Sequence, residues 1–81
     1  MNNKNVFITG ATSGIGLKIA QLCIEKGYDV YATGRNDASL KTLSNLGAHA
    51  IKADLRKKYE LDYVLAQLPE LDVVILNAGL G

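Results

Sequence analysis

Short apolar runs alternate with longer segments of helical periodicity along this chain. The apolar runs predict four strands, at residues 6–8, 29–33, 49–53 and 73–76. Between them, large apolar residues recur three and four positions apart, which is typical of one face of a helix. The three predicted helix faces are Ile15, Ile19, Leu22 and Cys23; Leu40, Leu43 and Leu46; and Leu61, Val64, Leu65 and Leu68. The order β-α-β-α-β-α-β indicates βαβ units built around a parallel sheet.

The segments between strands and helices carry start and stop signals. Gly27 and Gly47 suit the position just after the first and second helices, and Pro69 closes the third. Asn36 or Asp37 can cap the second helix, because either side chain can accept a backbone hydrogen bond there.

Few topologies suit such a sheet, because βαβ crossovers are right-handed. A doubly wound, Rossmann-type α/β arrangement places strand 1 in the middle, strands 2 and 3 on one side and strand 4 on the other, giving the order 3-2-1-4. Ligands of open α/β sheets bind at the carboxyl ends of the strands where this order reverses, here between strands 1 and 4. Thr9-Gly10 and Asn77-Ala78-Gly79 follow those two strands. Two separate features therefore indicate one binding site.

A glycine-rich turn joins the first strand to the first helix. Gly10 permits a tight turn, Gly14 lets the backbone approach a pyrophosphate, and Gly16 removes a side chain where helix and strand would collide. The start of the helix offers unpaired N–H groups and a partial positive charge to phosphates. Thr12 and Ser13 can add hydroxyl donors. This turn predicts binding of a dinucleotide.

Residues 9–16, TGATSGIG, resemble the cofactor motif of the classical short-chain dehydrogenase/reductase family. Asp54-Leu55 and Asn77-Ala78-Gly79 match the next two landmarks of that family, in order and at suitable distances. The resemblance covers essentially the whole chain. It implies that the adenosine and pyrophosphate are lined by Gly10, Ser13, Gly14, Ile15 and Gly16.

The same resemblance implies that Asp54 and the Leu55 backbone receive the adenine ring. It also implies that Asn77, Ala78 and Gly79 support the central sheet beneath the adenosine ribose. Without the other motifs, Asp54 would be interpreted as a plain strand-ending or helix-capping carboxylate, and Asn77 as a turn residue.

The end of the second strand bears on the choice between NADP and NAD. An NAD site usually has an acidic residue there, which holds the ribose 2′-OH. This chain has Gly34, which leaves room for a 2′-phosphate, followed by Arg35, which can grip one bidentately, and Asn36, which can add a hydrogen bond. Ser13 supplies no second base. We therefore predict NADP, the alternative being that Arg35 is a solvated arginine at a strand end.

The family resemblance also implies a catalytic serine, tyrosine and lysine that have no counterpart among these 81 residues. Only Tyr31 has a base four positions later, Arg35, and arginine does not cycle a proton. Tyr31 is interpreted as strand packing, Tyr59 and Tyr63 as the flank of the third helix, and His49 as a surface or turn residue. No residue is predicted to be catalytic or to bind metal.

Residues 1–81 are therefore expected to form the N-terminal part of one dinucleotide-binding domain, inactive on its own. In an intact enzyme it would serve hydride transfer between NADP(H) and an alcohol or carbonyl compound. The alternative is a non-catalytic, dinucleotide-binding or self-associating module. A P-loop phosphohydrolase is excluded, because no Lys-Ser/Thr pair follows the glycines.

Composition excludes several other partners. The net charge is +1 with acids and bases interspersed, so no basic stripe suits nucleic acid. No apolar run approaches the roughly 20 residues of a membrane span, and the absence of a secretory h-region favours the cytoplasm. Strand 73–76 is apolar and has no charge or proline to protect its edge. This edge predicts self-association or pairing with a complementing chain.

Overall fold

The computed structural model describes residues 4–77 of the chain. Its elements, in order, are β1 (Asn5–Thr9), α1 (Gly14–Glu25), β2 (Asp29–Gly34), α2 (Asp37–Asn45), β3 (His49–Lys52), α3 (Lys58–Gln67) and β4 (Val73–Leu76). Every predicted element is present. The bounds of β4 are those predicted. β1 is one residue longer at each end than predicted, and β2 and β3 differ by one residue at the C-terminal end.

The four strands form a parallel sheet in the order β3-β2-β1-β4, which confirms the predicted topology. β1 is central among the described strands and pairs with β2 on one side and β4 on the other. Val6, Phe7 and Ile8 are only 1%, 4% and 0% exposed, so β1 is buried on both faces. Burial of these three apolar side chains gives β1 a large share of the hydrophobic stabilisation of the sheet.

Each face of the sheet has its own apolar cluster. On the face covered by α1 and α2, the buried residues are Val6, Ile8, Ala11, Ala20, Val30, Ala32, Leu43 and Ala48. On the face covered by α3, they are Phe7, Ala53 and Val64, with Tyr31, Ile51, Leu55, Leu68 and Leu71 packed around them. The second cluster is smaller, since a single helix covers that face in the described residues.

The predicted face of α1 is confirmed at Ile19 and Cys23, which pack against the apolar cluster beneath the helix, and is wrong at Ile15 and Leu22. Gly16 and Ala20 are buried, whereas Ile15 is 74% exposed and Leu22 is 46% exposed. Small side chains let the helix axis approach the sheet closely, so the contact is centred on Gly16 and Ala20. A periodicity of large apolar residues therefore located the two flanking contacts, Ile19 and Cys23, and missed the small residues at the centre of the face.

The other two helix faces are correct except at one residue each. Leu40, Leu43 and Val64 are buried as predicted, but Leu46 is 48% exposed and Leu65 is 51% exposed. Leu46 is the C-cap residue of α2, where the chain leaves the helix. Leu65 follows Val64 around α3, and Val64 occupies the position that faces the sheet.

The ends of the helices follow local chemistry. The Asn36 side chain accepts a hydrogen bond from the Ser39 N–H at 2.9 Å, so Asn36 rather than Asp37 caps α2. Gly27 and Gly47 follow α1 and α2 with φ of 85° and 108°, which confirms the predicted stops. No helix among residues 4–77 is long and apolar enough to cross a membrane.

The predicted exposed edge is confirmed. β4 lies at one edge of the described sheet, with Val73, Val74 and Leu76 exposed by 38%, 50% and 77%. Ile75 instead packs against the cluster under α1.

Candidate functional site

A cleft of about 730 Å³ opens at the carboxyl ends of the strands. Its walls are the turn after β1, the end of β2, the segment after β3 and the residue after β4. It is lined by Thr9, Gly10, Thr12, Ser13, Thr33, Gly34, Arg35, Asn36, Ala53, Asp54, Leu55, Arg56 and Asn77. The cleft therefore includes the place between β1 and β4 where the strand order reverses, as expected for an open α/β fold.

The structure brings most of the predicted site residues to this cleft. Those on its walls are Gly10, Thr12, Ser13, Arg35, Asn36, Asp54, Leu55 and Asn77. Gly14, Ile15 and Gly16 lie in the first turn of α1 and do not line it. Ala78 and Gly79 lie outside the described residues.

The turn after β1 is held by backbone hydrogen bonds. Gly10 has a φ of 61°, which a residue with a side chain rarely adopts, so the predicted need for glycine is confirmed. The Ala11 N–H donates to the Thr33 carbonyl at 2.8 Å, which fastens the turn to the end of β2. The Ser13 hydroxyl donates to the Gly10 carbonyl at 3.1 Å. The turn is therefore preorganised from both sides.

Gly16 and Asn77 join the turn to β4. The Asn77 side-chain amide donates to the Gly10 carbonyl at 3.0 Å, and the Asn77 N–H donates to the Thr9 hydroxyl at 3.1 Å. A Cβ added at Gly16 would collide with the Gly10 carbonyl oxygen and the Asn77 amide nitrogen. The close approach predicted for Gly16 is confirmed, and its partners are the backbone after β1 and the side chain after β4.

The first turn of α1 leaves donors free for an anion. The Leu17 N–H donates to the Ser13 carbonyl at 2.9 Å as the first bond of the helix, so the N–H groups of Gly14, Ile15 and Gly16 have no helical partner. A Cβ added at Gly14 would meet no atom within 4 Å. These N–H groups carry the positive end of the helix dipole.

The end of β2 supplies a cation and an amide. Arg35 is exposed on the cleft wall and forms no salt bridge within residues 4–77. The Asn36 oxygen is used in capping α2, which leaves its NH₂ group as a donor.

Asp54 is held by Arg56 across from Arg35. The Arg56 Nε and Nη2 donate to the two Asp54 carboxylate oxygens at 2.9 and 2.8 Å, and the Arg56 N–H donates to Oδ1 at 3.1 Å. These hydrogen bonds hold the pKa of Asp54 well below its ordinary range, and the charges of Arg56 and Arg35 lower it further. Asp54 is accordingly an anion whose charge is balanced, and the cleft carries a net positive charge on its Arg35 side.

Five lining residues were not among the predicted site residues: Thr9, Thr33, Gly34, Ala53 and Arg56. Arg56 carries a sequence signal, since a base two residues after an Asp at a strand end can reach back to it. Thr33 and Ala53 reach the wall only because β2 and β3 are neighbours, which no local motif indicates.

The tyrosines and the histidine considered as candidates do not line the cleft. Tyr31 stacks on His49 across β2 and β3 with ring centroids 4.4 Å apart, which confirms the packing interpretation of Tyr31. Tyr59 and Tyr63 are 70% and 62% exposed on α3, as predicted. Among residues 4–77, no group of three or more His, Cys, Asp and Glu side chains is arranged to hold a metal ion.

Comparison with known proteins agrees with this geometry. The family model described as short chain dehydrogenase matches residues 4–81. The chain belongs to the short-chain dehydrogenase family. It is 39% identical over 83 aligned positions to the NADP-dependent 3-hydroxy acid dehydrogenase YdfG of Salmonella typhi, covering 94% of this chain and 34% of that protein. It is 35% identical to the 3-oxoacyl-[acyl-carrier-protein] reductase FabG of Rickettsia felis, covering 99% of this chain and 34% of that protein.

A solved short-chain dehydrogenase structure shares the fold. The closed form of serine dehydrogenase complexed with NADP+ superimposes with a TM-score of 0.78 at 34% identity, covering 86% of this chain and 31% of that one. This chain therefore spans about a third of the length of the short-chain dehydrogenases that it matches.

Proposed function

We propose that this chain is the NADP(H)-binding portion of a short-chain oxidoreductase. The observation that carries the proposal is the joint position of the glycine turn and Arg35 on one cleft, opposite an aspartate whose charge is already balanced by Arg56. In the whole protein, the reaction would be hydride transfer between NADP(H) and an alcohol or carbonyl compound. The dinucleotide, when bound, supplies or accepts the hydride.

The turn and the first turn of α1 would hold the pyrophosphate. The proposed contacts are the free N–H groups of Gly14, Ile15 and Gly16, with the Thr12 and Ser13 hydroxyls and the backbone of Gly10. A helix of 12 residues directs a partial positive charge at this point. The open space at Gly14 lets a phosphate approach the backbone directly.

The adenosine would lie along the cleft toward β3. Asp54 and the Leu55 backbone are proposed to receive the adenine ring, and Asn77, Ala78 and Gly79 to lie beneath the adenosine ribose. The bidentate Arg56 contact fixes the Asp54 carboxylate before a ligand arrives, which limits the ordering cost of binding.

The preference for NADP is proposed from the end of β2. Arg35 and the Asn36 NH₂ group are directed to hold a ribose 2′-phosphate, for which a guanidinium provides bidentate, charge-assisted hydrogen bonds. The names of the YdfG relative and of the serine dehydrogenase complex both contain NADP, which supports this choice.

Affinity measurements test the cofactor. Titration calorimetry on the complete polypeptide should give a lower Kd for NADP+ than for NAD+. Arg35→Ala should raise the Kd for NADP+ by about tenfold or more and leave that for NAD+ nearly unchanged, since a hydrogen bond to a charged group contributes about 1.5–3 kcal/mol. Lys41→Ala, which removes an exposed charge from α2, is the matched control. A preference for NAD+ that survives Arg35→Ala would contradict the proposal.

The substrate class is proposed from chemistry shared by the relatives. The printed names, a 3-hydroxy acid dehydrogenase and a 3-oxoacyl reductase, describe oxidation of a hydroxyl and reduction of a carbonyl. Reading the coding sequence past Gly81 separates this proposal from a non-catalytic dinucleotide-binding module. A downstream serine and Tyr-x-x-x-Lys supports the enzyme, whereas a stop codon supports the module.

We also propose that the β4 edge pairs with a strand from a second copy or from a complementing chain, and that the protein acts in the cytoplasm. The exposed apolar residues of β4 support the pairing, because an unprotected strand edge is a template for another strand.

A further inference from the structure

The backbone conformation at position 34 does not require a glycine. Within residues 4–77, the glycines with positive φ are Gly10, Gly27 and Gly47, so the conformation of Gly34 is open to any residue. A Cβ added at Gly34 would nevertheless lie 2.8 Å from the Thr12 Cβ and still closer to both γ atoms of Thr12. The Thr12 side chain therefore occupies the space of a side chain at position 34.

Thr12 cannot easily give way. Rotation about χ1 moves its γ atoms, but the Cβ–Cβ conflict remains. The turn that carries Thr12 is fastened to β2 by the 2.8 Å bond from Ala11 to Thr33. On the other side, the Ala53 N–H donates to the Gly34 carbonyl at 3.0 Å and holds β2 against β3. Relief would require movement of the backbone on one side of the contact.

We propose that Thr12 is a cofactor-specificity residue, because it excludes the acidic side chain that an NAD site places at the end of the second strand. The inference rests on the proposed function, namely that this cleft binds a dinucleotide. Arg35 would attract the 2′-phosphate of NADP. Thr12 leaves no space at position 34 for the acidic side chain that would instead bind the ribose 2′-OH of NAD. Conversion of the site to NAD therefore needs a change at position 12 as well as at position 34.

The steric coupling is tested first, without any cofactor. Urea denaturation of the complete polypeptide should give a lower midpoint for Gly34→Ala than for the wild type, and Thr12→Gly should remove most of that loss when the two substitutions are combined. The double-mutant cycle cancels the backbone effect of Thr12→Gly on its own. Gly14→Ala is the matched control for stability, since its Cβ would meet open space. Equal effects of Gly34→Ala in the presence and absence of Thr12 would overturn the inference.

Cofactor preference is tested next, by calorimetric Kd values for NAD+ and NADP+. Gly34→Asp alone should weaken both, whereas Thr12→Gly with Gly34→Asp should shift the Kd ratio toward NAD+ by about tenfold or more relative to the wild type. Thr12→Val with Gly34→Asp keeps the shape of threonine and should show no such rescue.

The outcomes separate the two proposals. If the wild type binds neither dinucleotide, the proposed function fails and the specificity inference fails with it. The wild type could bind NADP+ while Gly34→Asp alone gains as much NAD+ binding as Gly34→Asp combined with Thr12→Gly. That result would overturn only the role of Thr12.

Discussion

At the scale of single residues, the cleft is defined by polar groups whose partners are already fixed. The Asp54 carboxylate accepts hydrogen bonds from Arg56, and Asn77 donates hydrogen bonds to Gly10 and Thr9. The Asn36 side chain accepts one from a backbone N–H at the start of α2. Thr33 is the exception, because its hydroxyl is buried and has no hydrogen-bond partner in the described structure. An unpaired buried hydroxyl costs free energy that an apolar side chain of the same shape does not.

We predict that Thr33→Val raises the free energy of unfolding by about 1 kcal/mol. Valine keeps the branched shape of threonine in a site that is 1% exposed, and it removes the unpaired hydroxyl. Chemical denaturation measures the change. Thr42→Val is the comparison, because the Thr42 hydroxyl donates to the Ala38 carbonyl at 3.1 Å and its loss should bring no gain. A destabilised Thr33→Val variant would indicate that the hydroxyl is paired in solution.

At the scale of elements, the residue that caps α2 has a structural role and a proposed binding role. The Asn36 oxygen caps the helix, and its NH₂ group is left as a donor on a residue that lines the cleft. The two roles use different atoms, so substitution can separate them.

Asn36→Ala should destabilise the fold by about 1 kcal/mol, the usual effect of losing an N-cap. Asn36→Asp should keep that stability, because a carboxylate caps equally well and favours the helix dipole. It should nevertheless weaken NADP+ binding and spare NAD+, since a negative charge repels the 2′-phosphate. Thermal denaturation and calorimetric titration measure the two effects. Equal weakening of both dinucleotides by Asn36→Asp would place the 2′-phosphate elsewhere.

Sequence reasoning succeeded on elements whose signals are local. The strands, the order of the sheet, Gly10 and the Gly27 and Gly47 stops follow from apolar runs and turn chemistry. The centre of the α1 face was missed, because close packing through Gly16 and Ala20 carries no large apolar signal.

The same difference between local signals and long-range contacts applies to the residues of the site. Its glycine turn and its strand-end residues are contiguous motifs that can be recognised in the chain. The Thr12–Gly34 contact and the place of Thr33 on the cleft wall depend on β1 and β2 lying side by side. Such contacts join residues about twenty positions apart, and neither partner signals the other by its type.

At the scale of the whole molecule, the sheet is covered unequally. Ile75 of β4 packs beneath α1, whereas Val74 and Leu76 face the side that only α3 covers and are exposed by 50% and 77%. Within residues 4–77, the backbone groups on the outer side of β4 have no strand partner, and they lie beside these apolar side chains. Pairing with another strand would give these backbone groups hydrogen-bond partners, and a covering surface would bury the apolar side chains.

We therefore predict that Val74→Lys shifts a polypeptide of residues 1–81 toward the monomer. A lysine on an edge strand opposes strand pairing, since the incoming strand would have to bury its charge. Sedimentation velocity over a range of concentrations measures the distribution. Leu46→Lys is the matched control, because Leu46 is exposed to a similar degree, 48%, at the end of α2, which packs on β3 at the opposite edge of the sheet. A monomeric wild type, or equal dissociation by both substitutions, would show that β4 does not mediate association.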